Sequence, residues 1–169
     1  EISEVFKQDT SLPILFGIIF IIIGLAFKIS AVPFHMWSPD VYQGSPTSVT
    51  SFFALAPKIA GLGAIIRILY ICFGEIYEEW KSIIIFIAVA SMLLGAFAAI
   101  GQTNLKRLMA YSSISHIGYV LAALTVGNRD GVISAISYLN IYIIMMISSF
   151  ACILLFRRKN IYFENINDL

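Results

Sequence analysis

Long apolar runs are the feature that most constrains the fold of this chain. Five such runs follow one another along the sequence, with only short polar connections between them. A hydrocarbon core about 30 Å thick requires about 20 apolar residues at about 1.5 Å each, so every run is long enough to cross a bilayer as a helix. We predict five transmembrane spans, at approximately 12–38, 47–73, 82–102, 106–126 and 131–156.

The composition also indicates a membrane protein. Hydrophobic residues make up 59% of the chain and charged residues 12%, against roughly 45–50% and about 25% in soluble domains. Each span must pair its own backbone groups in lipid, and the sequence lacks the alternation of β-barrel strands. We therefore expect an all-α, antiparallel bundle forming a single membrane domain over 1–169. The chain opens with Glu1 rather than Met, so we interpret it as a fragment of a longer polypeptide.

The distribution of charge indicates partners and orientation. The formal net charge of +1 leaves no excess of Lys and Arg to neutralise phosphates, so we expect a lipid bilayer and no nucleic acid as the partner. An excess of Lys and Arg near the span ends on one side of the membrane indicates the cytoplasmic or matrix side. The side of the 38–46 connection has five of them and the opposite side three: Lys106, Arg107, Arg157, Arg158 and Lys159 against Lys7, Lys81 and Arg129.

Two lysines lie deep within the first two spans. Lys28 is about 15 Å from the Ser38 end of its span, and Lys58 is about 16 Å from the Thr47 end of the next. Because neighbouring spans run antiparallel, both lysines fall near the same depth. A charged lysine at mid-membrane costs at least about 2.5 kcal/mol, so it faces a protein interior or a wet cavity, and a nearby like charge favours proton release. The pair is a candidate for proton transfer.

Two prolines accompany these lysines. Pro33 leaves the carbonyl of Ile29 without its helical donor, and Pro57 does the same for Phe53. Broken helices in transport proteins place irregular backbone where it lines a cavity, although a simple kink is the alternative. We expect the first helix to be broken near Pro33.

Three other residues within or near the spans have alternative interpretations. Arg67 is close enough to a helix end for its side chain to reach the interface. His35 lies two turns beyond Lys28 and is a candidate proton relay, with a surface or capping role as the alternative. His116 is flanked by hydroxyls within 112–115 that can satisfy it. Neither histidine has a partner at metal-ligand spacing, so we predict no metal site.

Three motifs resemble a known family. Residues 27–46 read FKISAVPFHMWSPDVYQGSP, residues 56–60 read APKIA, and residues 103–119 read TNLKRLMAYSSISHIGY. Together they resemble the antiporter-like membrane subunits of respiratory complex I. The letters YQG at 42–44 favour the subunit N branch, the bacterial counterpart of mitochondrial NADH dehydrogenase subunit 2.

The resemblance implies that this chain forms a part of the fourteen-helix proton-antiporter-like fold. It also implies that the chain belongs to a subunit of proton-translocating NADH:quinone oxidoreductase. The family's proposed proton-carrying lysines match Lys28 and Lys58, whereas its acidic residue on an earlier helix and its lysine on a later broken helix have no position here. No redox chemistry is expected in this chain, which should hold no cofactor. The resemblance places NADH, FMN, iron–sulfur clusters and quinone in other subunits. It also implies other membrane-arm subunits as partners, and a bacterial inner or mitochondrial inner membrane as the multi-pass location.

Two alternatives stay open. Subunits of multisubunit cation/proton antiporters share the signature and would exchange sodium for protons, although the 38–46 connection favours complex I. The other alternative is a structural remnant that only seats neighbouring subunits. In that case the lysines are satisfied buried groups without a transport role.

Overall fold

The computed structural model describes residues 12–155, 157–158, 161–162 and 165–166. Its α-helices are α1 (Leu12–Ile29), α2 (Trp37–Gly44), α3 (Thr47–Arg67), α4 (Tyr77–Ile100), α5 (Leu105–Leu124) and α6 (Arg129–Leu155). A π-helical turn, Ile68–Cys72, continues α3, and a 3-10 turn, Gly74–Ile76, precedes α4. Two short strands, β1 (Arg157–Arg158) and β2 (Ile161–Tyr162), pair in antiparallel fashion. Apart from this pair of two-residue strands, every named element is helical, and the predicted all-α class is confirmed.

Within the described residues, four helical stretches are long and apolar enough to cross a membrane: Leu12–Ile29, Thr47–Cys72, Gly74–Ile100 and Arg129–Leu155. The predicted fourth span corresponds to α5, which has 20 residues but is less apolar. Nine of these residues are buried, because α4 and α6 both pack against α5. Protein neighbours therefore bury two of its polar side chains, Lys106 and Ser113.

The first predicted span is interrupted rather than continuous. Helix α1 ends at Ile29, Ser30 adopts a φ of 62°, and the backbone turns until α2 begins at Trp37. The break predicted near Pro33 is confirmed, but the connection that follows it contains a helix that we did not predict. The letters SPD at 38–40 place a proline and an acidic residue in the first turn of α2, where both are tolerated or favoured.

Two clusters of buried side chains form the interior of the bundle. The larger cluster joins α1, α3, α4, α5 and α6 and includes Leu62, Trp80 and Ile117. The smaller cluster joins α2, α3, α5 and α6 around Tyr42 and Met146. Helix α2 is thus a part of the core, although it is short.

Hydrogen bonds fix the broken segment against its neighbours. The backbone N–H of Val32 donates to Ser91 Oγ on α4 over 2.9 Å. Where α2 begins, Trp37 Nε1 donates to the carbonyl of Phe27 over 3.0 Å. The start of α2 therefore lies beside the last turn of α1, and its remaining turns pack between α3 and α5.

Candidate proton-transfer site

Lys58 is the centre of the site. It lies in the middle of α3, directly after the intrahelical Pro57, and it is 0% exposed. Its Nζ donates a hydrogen bond to Ser113 Oγ on α5. The same Nζ lies over the ring of Tyr42 on α2, 5.3 Å from the ring centroid. Three elements thus converge on one ammonium group.

The partners of Lys58 are uncharged. Ser113 and Tyr42 are themselves fully buried. A hydrogen bond to a charged group contributes about 1.5–3 kcal/mol, and a desolvated cation–π contact contributes about 2 kcal/mol. Within the described part of the chain, no acidic side chain pairs with this ammonium. Loss of its proton therefore leaves no unpaired buried carboxylate, so the site suits a lysine that changes its protonation state.

Contacts of two basic side chains at the start of α5 hold α2 against that helix. Lys106 Nζ donates to the carbonyl of Ser45 over 3.0 Å. Arg107 donates from one nitrogen to Asp40 Oδ1 over 2.6 Å and to Gln43 Oε1 over 3.0 Å. These contacts keep the Tyr42 ring in place over the buried lysine.

Lys28 has different surroundings. It lies in the last turn of α1, and its side chain is exposed on the described chain. A methyl group placed on Gly61 would be 3.7 Å from Lys28 Cγ, so the stem of the lysine rests against α3 about one turn after Lys58. An open pocket of about 300 Å³ is lined by Phe27, Lys28, Trp37, Phe53 and Pro57. The two lysines are on packed helices, but Lys58 reaches α5 while Lys28 borders this pocket.

The remaining candidates lie elsewhere. His35 is partly buried in the segment before α2, and its buried Nδ1 has no hydrogen-bond partner among the described residues. His116 Nδ1 is 2.7 Å from the hydroxyl of Tyr138 on α6, so its partner is not one of the hydroxyls within 112–115 that we expected. Arg67 is exposed at the end of α3. Within the described ranges, no group of three or more His, Cys, Asp and Glu could hold a metal ion.

Sequence reasoning missed Ser113 and Tyr42 as partners of Lys58. The sequence indicates Ser113 only as a neighbour of His116, and it places Tyr42 in the predicted 38–46 connection. One signal was available for the serine: a polar residue in the middle of a lipid-embedded helix must face protein or water. For the tyrosine, the helix-start letters at 38–40 could have predicted a helix. Nothing in the sequence indicated which face of that helix would meet α3.

Comparison with known proteins places this chain in a family. The chain matches, over residues 1–169, the family described as "NADH:quinone oxidoreductase/Mrp antiporter, TM". NADH-quinone oxidoreductase subunit N of Parvibaculum lavamentivorans is 56% identical over 169 residues, which is 99% of this chain and 35% of the relative. The Pelagibacter ubique subunit N is 58% identical over 154 residues, covering 91% and 33% respectively.

Solved structures give a consistent result. A chain of respiratory complex I from Thermus thermophilus aligns with a TM-score of 0.64 at 36% identity, covering 78% of this chain and 28% of that chain. A chain of the Mrp complex from Dietzia sp. aligns with a TM-score of 0.71 at 26% identity, covering 89% and 28%. This chain spans about one third of the length of the curated relatives that it matches. It belongs to the NADH:quinone oxidoreductase/Mrp antiporter transmembrane family.

Proposed function

We propose that this chain is part of a proton-translocating membrane subunit of NADH:quinone oxidoreductase, in which Lys58 and Lys28 carry protons and His35 acts as a relay. The observation that carries the proposal is the burial of Lys58 against partners that, in the described part of the chain, are neutral. Burial without a counter-ion favours proton release, whereas the Ser113 oxygen and the Tyr42 ring favour the charged form. A group under these opposed influences can alternate between its two protonation states.

The rest of the machinery lies outside this chain in our proposal. Energy for proton movement comes from quinone reduction in other subunits, which also hold NADH, FMN and the iron–sulfur clusters. Other membrane-arm subunits of the complex are the partners, and the location is a bacterial inner or mitochondrial inner membrane.

Replacement of the buried lysine tests this function. The experiment uses the full-length parent, which is the longer polypeptide of which we propose this chain to be a part. We expect its Lys58→Met variant to form an assembled complex that oxidises NADH but pumps few protons in sealed vesicles. Lys81→Met is the matched control, because Lys81 is at the start of α4 in an ion pair with Glu78. An unchanged number of protons pumped per NADH in the Lys58 variant would contradict the proposal.

A second candidate is a subunit of a multisubunit cation/proton antiporter. The similarity to a chain of the Mrp complex favours it, since that alignment covers 89% of this chain. Extraction of the parent in mild detergent and native electrophoresis separate the two candidates. A very large band that oxidises NADH supports complex I. A smaller band without this activity, whose loss makes cells sensitive to sodium, supports the antiporter.

A further inference from the structure

A row of unpaired polar atoms follows one face of α2 and the turn before it. His35 Nδ1, Ser38 Oγ and Tyr42 OH are buried and have no hydrogen-bond partner among the described residues. Their spacing of three and four residues places them on one helical face. The backbone N–H of Ser38 donates to the carbonyl of His35 over 3.0 Å, which extends the helical turn back to the histidine. Buried polar groups are nearly always paired, so three in a row require an explanation.

One end of this row reaches the buried lysine. Ser38 and Tyr42 are both 0% exposed. The Tyr42 ring lies beneath Lys58 Nζ, 5.3 Å from the ring centroid, and Ser113 accepts the hydrogen bond from the same Nζ. The face of α2 that carries Ser38 and Tyr42 therefore meets the same ammonium group as Ser113 on α5.

The other end of the row lies near the break in α1. Trp37, which begins α2, donates its indole N–H to the carbonyl of Phe27 over 3.0 Å. Phe27 directly precedes Lys28 in the last turn of α1. Helix α2 thus bridges the region of the exposed lysine and the surroundings of the buried one.

We propose that Ser38 and Tyr42 are proton-relay residues that connect His35 with Lys58 through Ser113. This inference rests on the proposed function and adds a route to it. Each hydroxyl accepts one proton and passes on the proton that it held, so the serines and the tyrosine are unchanged after a transfer. A proton that leaves the His35 imidazolium ends on the neutral Lys58 amine, and only these two residues change charge.

Two substitutions in the full-length parent, within the intact complex, test the relay. Tyr42→Phe keeps the ring beneath Lys58 and removes only the hydroxyl, and Ser38→Ala removes one buried oxygen. The matched controls are Tyr119→Phe and Ser48→Ala, since both side chains are exposed. Protons pumped per NADH are measured in sealed vesicles, in H2O and in D2O, on complexes whose assembly has been checked by native electrophoresis.

The relay predicts that Tyr42→Phe and Ser38→Ala lose most of the pumping, while assembly and both controls match the parent. It also predicts that the ratio of the pumping rate in H2O to that in D2O differs between the relay variants and the parent. A purely structural defect would not change this ratio. If Lys58→Met stops pumping and both relay variants pump normally, the relay is wrong and the proposed function stands. If Lys58→Met pumps normally, the proposed function itself fails. If Tyr42→Phe does not assemble, the smaller Ser38→Ala change decides the outcome.

Discussion

Lys28 and Lys58 are residues of the same type at the same predicted depth in the membrane, yet their surroundings differ completely. Lys58 is enclosed by α2, α3 and α5, and its ammonium has a hydroxyl and an aromatic ring as partners. Lys28 lies in the last turn of α1 and borders an open pocket. Depth along a span therefore does not determine burial; the number of elements that converge on the side chain does. Among the described residues, Lys58 is therefore enclosed by protein, whereas Lys28 is exposed.

We expect the largest effect at a close contact between the two lysine-bearing helices, α1 and α3. A methyl group on Gly61 would lie 2.6 Å from Ile29 Cγ2, whereas one on Gly63 would meet nothing within 4 Å. We expect Gly61→Val to destabilise the full-length parent by about 3 kcal/mol through overpacking, and Gly63→Val to change its stability little. Thermal unfolding of both purified variants measures this difference, and equal midpoints would show that α1 and α3 do not pack closely between the lysines.

The second-largest loss of stability is expected when the hydroxyl that accepts the hydrogen bond from Lys58 is removed. Ser113→Ala should cost about 2 kcal/mol of stability, because a buried ammonium loses an oxygen partner. Ser112→Ala on the same helix is the matched control, since Ser112 is only partly buried and borders an open pocket. Chemical or thermal unfolding of the two variants compares them. If Ser112→Ala were the more damaging, the assignment of Ser113 as the lysine's partner would be wrong.

The hydrogen bond near Lys28 contributes less. Trp37→Phe keeps an aromatic ring in the pocket but removes the indole N–H that donates to Phe27. We expect a loss of about 1 kcal/mol, typical of one neutral hydrogen bond. The unfolding midpoint of the variant should fall by less than that of Ser113→Ala. A larger fall would mean that the surroundings of Lys28 are as closely fixed as those of Lys58.

The smallest effect is expected at the surface contact that holds α2 on α5. Asp40→Asn removes the ion pair with Arg107, in which the Asp40 side chain is 71% exposed. Exposed pairs contribute about 0.2–1 kcal/mol and are screened by salt. The difference in stability between parent and variant should therefore shrink from low to high ionic strength. A difference that does not depend on salt would indicate that the contact is not electrostatic.

Particular residues show how far the sequence allowed prediction. The apolar runs predicted the helical class, and Pro33 correctly predicted the break in the first helix. The positions of Lys28 and Lys58 within the runs indicated equal depth but could not distinguish their surroundings. That distinction depends on α2, which folds back so that Tyr42 lies beneath Lys58. Such a contact joins residues far apart in the chain, and no local pattern encodes it.

The partner of His116 shows the same limit. The sequence predicted the neighbouring hydroxyls within 112–115 as its hydrogen-bond partners, whereas the structure pairs His116 with Tyr138 on α6. Helix α5 lies between α4 and α6, so the face on which the histidine lies meets another helix. Packing between helices determined this partner, and the spacing of residues along α5 did not.

Proton exchange at Lys58 is the central claim, and Lys58→Arg in the full-length parent tests it most directly. Arginine keeps the positive charge and its hydrogen-bonding capacity, but it does not release a proton in a protein. We predict that complexes containing Lys58→Arg assemble and oxidise NADH but lose most of the proton pumping in sealed vesicles. Pumping at the parent ratio of protons to NADH in the assembled variant would contradict the account, because only the charge of Lys58, and not its proton, would then be required.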